Sequence, residues 1–188
     1  VLTAAEIEEK GFARYKDIDG DGIGYRSLPG TDHPKAGFFT RGTGHDENAV
    51  YSEKAEAWVQ NMDRLLRKFE TARAKVPGPV IDDNKDAEIG IITFGTTHFA
   101  VEEARDRLAA EDLQTSYLRL RALPINDEVK DFVARHDRVY VVELNRDGQM
   151  CSILLTEMPE MATKLVSLAH LDGMSLTARW VQEAIEAK

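Results

Sequence analysis

The chain has 188 residues, 43% of them hydrophobic, which suffices for one well-buried core or for one domain with a sizeable appendage. Its net charge of -9 and pI near 5.1 disfavour nucleic acid and anionic membrane as partners, because the average surface repels both. The single cysteine, Cys151, excludes an internal disulfide framework and the four thiolates an iron–sulfur cluster normally takes, and it fits a reducing cytoplasm.

The first residues, "VLTAAE", lack the basic flank and apolar stretch of a secretory signal and begin without Met, so a piece of a longer chain is expected. No apolar run approaches bilayer-spanning length; the longest, such as residues 89–94, are strand-sized. The stretch "KDIDGDGIGY" (residues 16–25) looks like the start of a calcium loop. With Asp17 at position 1, Asp19 and Asp21 fall at positions 3 and 5 and Gly22 at the sharp turn, but Leu28 stands where the bidentate carboxylate should be. Pro29-Gly30 also blocks an exiting helix. Asx and glycine turns account for this pattern, with a weakly bound Ca or Mg on Asp17, Asp19 and Asp21 as the other reading.

Eight of the 13 glycines fall in the first 44 residues, and residues 20–48 show neither helical nor strand period, as expected of an arm laid over a neighbour. Within it "FFTRGTGHDE" (residues 38–47) gathers Arg41, His45 and two acids on flexible backbone. His45, Asp46 and Glu47 are adjacent in sequence and do not make a paired-histidine zinc pattern, so a surface or interface loop competes with a binding role.

Residues 52–75 are predicted to form a long helix, capped by Ser52, with Trp58, Met62, Leu65, Phe69 and Ala72 on one face expected to pack into a core. The segment "VPGP" with the polar run after it marks a linker over residues 76–87. Beyond it, strands (89–94, 116–120, 139–143, 165–169) alternate with helices (100–110, 127–135, 150–155, 177–187). That order predicts an α/β domain with a doubly wound, mostly parallel sheet, preceded by the glycine-rich arm and the long helix. Two strand-to-helix turns, Gly95-Thr96-Thr97 and the stretch "ELNRDGQ" (residues 143–149) with Asn145 and Arg146, lie where such sheets bind ligands, although neither carries a phosphate-binding fingerprint.

Five blocks, "DGDGIGYRSLPGTDHPKAGFFTRGTGHDE" (19–47), "NMDRLLRKFETA" (61–72), "YLRLRALP" (117–124), "VYVVELNRDGQ" (139–149) and "AHLDGMSLTARW" (169–180), together resemble the α subunits of 2-oxoacid:ferredoxin oxidoreductases, especially the 2-oxoglutarate type. The resemblance implies an assembly that oxidatively decarboxylates a 2-oxoacid on thiamine diphosphate with Mg, reduces ferredoxin through iron–sulfur clusters, and leaves an acyl-CoA. It further implies that residues 1–75 are the tail of a pyrimidine-binding domain, arm and connecting helix, and that residues 88–188 are similar to the transketolase C-terminal domain. The upstream α region and the β subunit would be the partners and would carry those cofactors and all catalytic residues, leaving this piece inactive alone. A homodimer through the C-terminal domain is a further expectation. Arg41, His45, Asn145 and Arg146 become candidates for contact with CoA or a partner, whereas Leu144 stands where similar sequences often carry Gln and inherits no substrate role. A cation-binding interaction module built on Asp17, Asp19 and Asp21 is the competing reading from a different class.

Overall fold

Successive residues in a strand point to opposite faces, so the pairs Ile91/Ile92, Tyr117/Leu118 and Tyr140/Val141 bury apolar groups on both sides of a sheet. The computed structural model, which describes residues 1–188, bears out this two-faced burial. Contacts group the chain into two units, Val1–Lys75 and Val76–Lys188.

In the second unit, β2 (Ile89–Phe94), β3 (Thr115–Leu120), β4 (Arg138–Glu143) and β5 (Leu165–Ala169) are parallel. A short strand, β1 (Val80–Asp82), pairs antiparallel with β3 and completes the order β1-β3-β2-β4-β5. The segment read as linker therefore includes an edge strand, three residues long and too short for a period to register.

Helices α4 (Asp127–Arg135) and α5 (Gln149–Glu157) cover one face, where Val129, Phe132, Val133, Cys151 and Leu154 pack with Ile92, Leu118 and Val141. Helices α3 (Thr97–Ala110) and α6 (Ala178–Glu186) cover the other, where Val101, Ala104, Leu108, Val181 and Ile185 meet Ile91, Tyr117 and Val142. The fold is thus α/β, doubly wound and mostly parallel, as the alternation predicts. Helix α3 begins at Thr97, ahead of the expected residue 100, and Thr177 caps α6 by accepting the Trp180 N–H.

The first unit is built differently. It contains α1 (Ala4–Lys10), capped by Thr3 and Glu6 in a reciprocal box, and α2 (Ala55–Lys75), with irregular chain between them. Two expectations for the long helix need correction. It starts at Ala55, because the Ser52 hydroxyl is occupied by the Lys54 N–H at 3.2 Å and does not cap it. Its apolar stripe is also not core: Trp58, Met62, Leu65 and Phe69 are 38–55% exposed, and the one buried residue on the helix is Arg64. The opposite, polar side faces the arm. Arg64 donates to the Gly22 carbonyl at 3.1 Å, the Thr71 hydroxyl donates to the Asp21 carbonyl at 2.7 Å, and Gly22 lies against the helix backbone. Periodicity shows that a helix has an apolar face, but not which of its faces the rest of its own unit occupies.

Candidate functional site

The strand order reverses between β2 and β4, since the chain winds outward from β2 to β3 and then returns to add β4 and β5. Open α/β sheets bind ligands in the crevice at such a reversal, beyond the carboxyl ends of the strands. Two turns border it here, Gly95-Thr96 after β2 and residues 144–148 after β4. Gly95 takes φ +62° and Gly148 φ +60°, so each chain reverses tightly into its helix.

The β4–α5 turn is organised by its first residue, which sequence reasoning placed at the junction of strand and turn without giving it a role of its own. Glu143 is 1% exposed. Its carboxylate accepts the Met150 N–H at 2.8 Å, the Cys151 N–H at 3.1 Å and the Asn145 side-chain amide, so a negative charge sits over the open amides at the start of α5. Asn145 in turn accepts the N–H groups of Asp147 at 3.0 Å and Gln149 at 3.3 Å. The signal available in the sequence was a carboxylate at a strand end, seven and eight residues before the helix amides it serves. Asn145 is thereby a structural brace. Arg146 is exposed, is the one cation of this turn, and is paired with Asp147, whose carboxylate raises its pKa; an anion from solvent would compete with Asp147 for it.

Cys151, behind the turn, is 3% exposed; burial and the Glu143 charge push its thiol pKa up. It is expected to react with a thiol reagent at pH 8 on the order of 100-fold more slowly in the native chain than in urea. Equal rates, read by absorbance of the released chromophore, would mean that the core layer beneath α4 and α5 is open.

On the same sheet face as α3 and α6, a groove of about 680 Å³ is lined by Thr96, Phe99, Glu103, Arg107, Leu176 and Arg179, among others. It holds one acid and two arginines in addition to the exposed ring of Phe99.

In the first unit, the three aspartates do not converge. Asp17 accepts the Gly22 N–H at 2.9 Å and pairs with Arg67 at 3.0 Å, Asp19 accepts the Tyr25 hydroxyl at 2.7 Å, and Asp21 accepts the Ile23 N–H at 2.8 Å. Burial works to raise Asp17, but the Gly22 amide and Arg67 outweigh it and hold the carboxyl below the ordinary aspartate range. No set of three His, Cys, Asp or Glu side chains is placed to hold a metal ion. The geometry is that of the Asx and glycine turns.

Arg41, though exposed, is likewise tied back to its own unit. Its backbone exchanges hydrogen bonds with the Tyr15 hydroxyl, the Arg41 N–H to Tyr15 Oη distance being 2.9 Å, and its Nε donates to the Ala49 carbonyl. His45 is buried, with Nδ1 donating to the Thr43 carbonyl at 2.6 Å and its ring 4.1 Å from that of Tyr15. Together with Asp17, Gln60, Asn61 and Arg64 it lines a small cavity of about 270 Å³, while its Nε2 is buried without a partner. Of the residues singled out by sequence, Asp17 and His45 line this cavity, Asp19 and Asp21 line another beside Tyr25, and Arg41 lines neither.

No family model matches the chain. Among curated proteins, 2-oxoacid:ferredoxin oxidoreductase 1, subunit alpha, from Aeropyrum pernix is 31% identical over 153 residues, covering 75% of this chain and 24% of that protein. The alpha subunit of 2-oxoacid:ferredoxin oxidoreductase 2 from the same organism is 26% identical over 148 residues, covering 76% and 22%. The chain therefore spans about a quarter of the length of these relatives. Among solved structures, the 2-oxoglutarate:ferredoxin oxidoreductase from Magnetococcus marinus, with 2-oxoglutarate, coenzyme A and succinyl-CoA bound, shares the fold with a TM-score of 0.75 at 23% identity, over 94% of this chain and 30% of that one. Over about three-quarters of its length, then, this chain is homologous to the α subunits of 2-oxoacid:ferredoxin oxidoreductases.

Proposed function

We propose that this chain is the C-terminal portion of the α subunit of a 2-oxoacid:ferredoxin oxidoreductase of the 2-oxoglutarate type, acting in the cytoplasm within an assembly that converts a 2-oxoacid to an acyl-CoA and reduces ferredoxin. The observation that carries the reading is the homology to α subunits on both sides of the unit boundary, joined by a fold shared over 94% of the chain with a 2-oxoglutarate enzyme. Within it, unit two is the counterpart of the transketolase C-terminal domain and is structural. No helix is long and apolar enough to cross a membrane.

The residues present do not fit an iron–sulfur cluster, because the one thiol is buried and the cluster needs several. They offer no carboxylate set for Mg either. We therefore assign thiamine diphosphate, Mg and the clusters to an upstream α region and a β subunit. The first unit supports a role against a partner: only Leu2, Ile7, Ala13 and Ala49 form its buried apolar set, whereas Phe38 and Phe39 of the arm are 39% and 80% exposed.

The test is reconstitution. The chain alone is expected to show no 2-oxoacid-dependent ferredoxin reduction, and to contribute to turnover only with the upstream α region and β subunit present; turnover by the chain alone would overturn the proposal. In the reconstituted enzyme, Arg146→Ala is expected to raise the KM for CoA severalfold with the 2-oxoacid KM unchanged, as for the loss of one exposed cation from a phosphate. An unchanged CoA KM would remove Arg146 from the CoA approach.

A further inference from the structure

We propose that the cavity beside Tyr25 in the first unit is a binding site for a phosphoryl anion, held by Arg14 of the arm and Arg64 of α2. The cavity measures about 600 Å³, room enough for a small phosphorylated molecule. Five of its side chains are cationic, Arg14, Arg26, Arg64, Lys68 and Lys75, in a chain whose net charge is -9. Two carboxylates share the cavity, and both are engaged on the arm itself: Asp19 accepts the Tyr25 hydroxyl and Asp21 accepts the Ile23 N–H.

Two arginines carry the inference. Arg14 is partly buried, its Nε is closed off from solvent with no acceptor, and its guanidinium makes no hydrogen bond or ion pair within the chain. Arg64 is 8% exposed and donates to neutral oxygens, the Gly22 carbonyl at 3.1 Å and Asn61 Oδ1 at 2.9 Å. Each guanidinium carbon stands 5.3 Å from the centre of the Tyr15 ring, so two like charges gather around one side chain with no carboxylate bonded to either. Asp17, the acid that acts on Arg64, is itself held by Arg67 and the Gly22 N–H. Burial lowers the Arg64 pKa and Arg14 pushes it further down, against Tyr15 and Asp17. A buried cation without an ionic partner is costly, and a buried donor without an acceptor is rare in native folds; an anion in the cavity removes both anomalies.

A phosphoryl group fits better than a carboxylate for two reasons. It brings about two negative charges near neutral pH to a cavity whose cations outnumber its acids by three. Its three oxygens can also accept from a guanidinium of the arm and one of α2 at once, where planar forks favour such acceptors. The site lies wholly within the first unit and stands apart from the oxidoreductase reading.

The full chain, in phosphate-free buffer at fixed ionic strength, is titrated by calorimetry with inorganic phosphate, with pyrophosphate and with succinate as the carboxylate counterpart. Pyrophosphate is expected to bind with a dissociation constant on the order of 100 μM, and succinate about 10-fold or more weaker than phosphate. Arg14→Gln removes a guanidinium that bonds to nothing in the fold and is expected to weaken pyrophosphate about 10-fold. Lys85→Gln, at an exposed cation of the second unit, is expected to leave the affinity unchanged. Location is read separately by amide NMR of the unsubstituted chain, where the shifts caused by pyrophosphate should concentrate in residues 14–26 and 64–75. No binding at about 10 mM pyrophosphate, full affinity in Arg14→Gln, shifts centred elsewhere, or succinate binding as tightly as phosphate would each overturn the proposal, the first leaving the two arginines to a carboxylate of another polypeptide segment.

Discussion

Replacing Glu143 by alanine is expected to cost the second unit about 3 kcal/mol of stability, the largest loss from any single polar side chain in the sheet. Its carboxylate is buried and serves two backbone amides of α5 and the side chain of Asn145. Truncation strands all three donors at the opening of a helix whose dipole is positive there. Glu143→Gln should cost less, about 2 kcal/mol, because one oxygen still accepts while the new amide turns a donor toward a donor. Urea titration followed by circular dichroism reads both, and a loss below about 0.5 kcal/mol for the alanine variant would show the cap to be idle. If the cap fails, Asn145 loses its hold and Arg146 its fixed position, so a substitution inside the fold would also be felt as weaker presentation of the exposed cation.

Gly22→Ala should release the arm from α2. A Cβ on Gly22 would stand 2.2 Å from the Lys68 amide nitrogen and 2.5 Å from the Arg64 carbonyl oxygen, both backbone atoms that cannot step aside, and φ is +77°. Overpacking and left-handed strain together amount to about 4 kcal/mol. The first unit buries only four apolar side chains, so the expected result is local detachment, read as protease cleavage within residues 17–25 faster on the order of 100-fold. Gly20→Ala is the control. It shares the positive φ, at +74°, but nothing lies within 4 Å of its added Cβ, so it should cost about 1 kcal/mol and leave cleavage near the native rate. Similar cleavage of the two variants would mean that the close approach to α2 does not hold the arm.

The contrast between the two units explains what the sequence disclosed. Helix α4 and strand β5 match the expected residues, and Val101, Ala104 and Leu108 of α3 are buried as their spacing requires, because each element meets a core within its own unit. The long helix has equally good periodicity but is turned outward, since backbone approach at Gly22 and hydrogen bonds from Arg64 and Thr71 fix its orientation, and no hydropathy pattern encodes those. Helix α1 is seven residues long and buries only Ile7, too little to register as a stripe. At the sheet reversal, the polar turn with Asn145 and Arg146 was legible from its composition. The division of labour within it was not, because Glu143 reads as the last residue of a strand until its distance to the α5 amides is known. The aspartate loop shows the reverse case: correct calcium-loop spacing over six residues, with each carboxylate already committed to a different donor.

The small antiparallel strand β1 bears on how this protein avoids polymerising. A parallel sheet that stopped at β3 would expose a six-residue row of backbone donors and acceptors, a ready template for another chain's strand. Val80–Asp82 occupies the middle of that row and presents only three residues in its place, preceded by Pro77 and Pro79 and followed by Asp83. Proline offers no amide to an incoming strand, and Asp82 and Asp83 are held in ion pairs with Arg105 and Arg135 that an incoming strand would have to displace, so this flank of the sheet resists edge-to-edge aggregation.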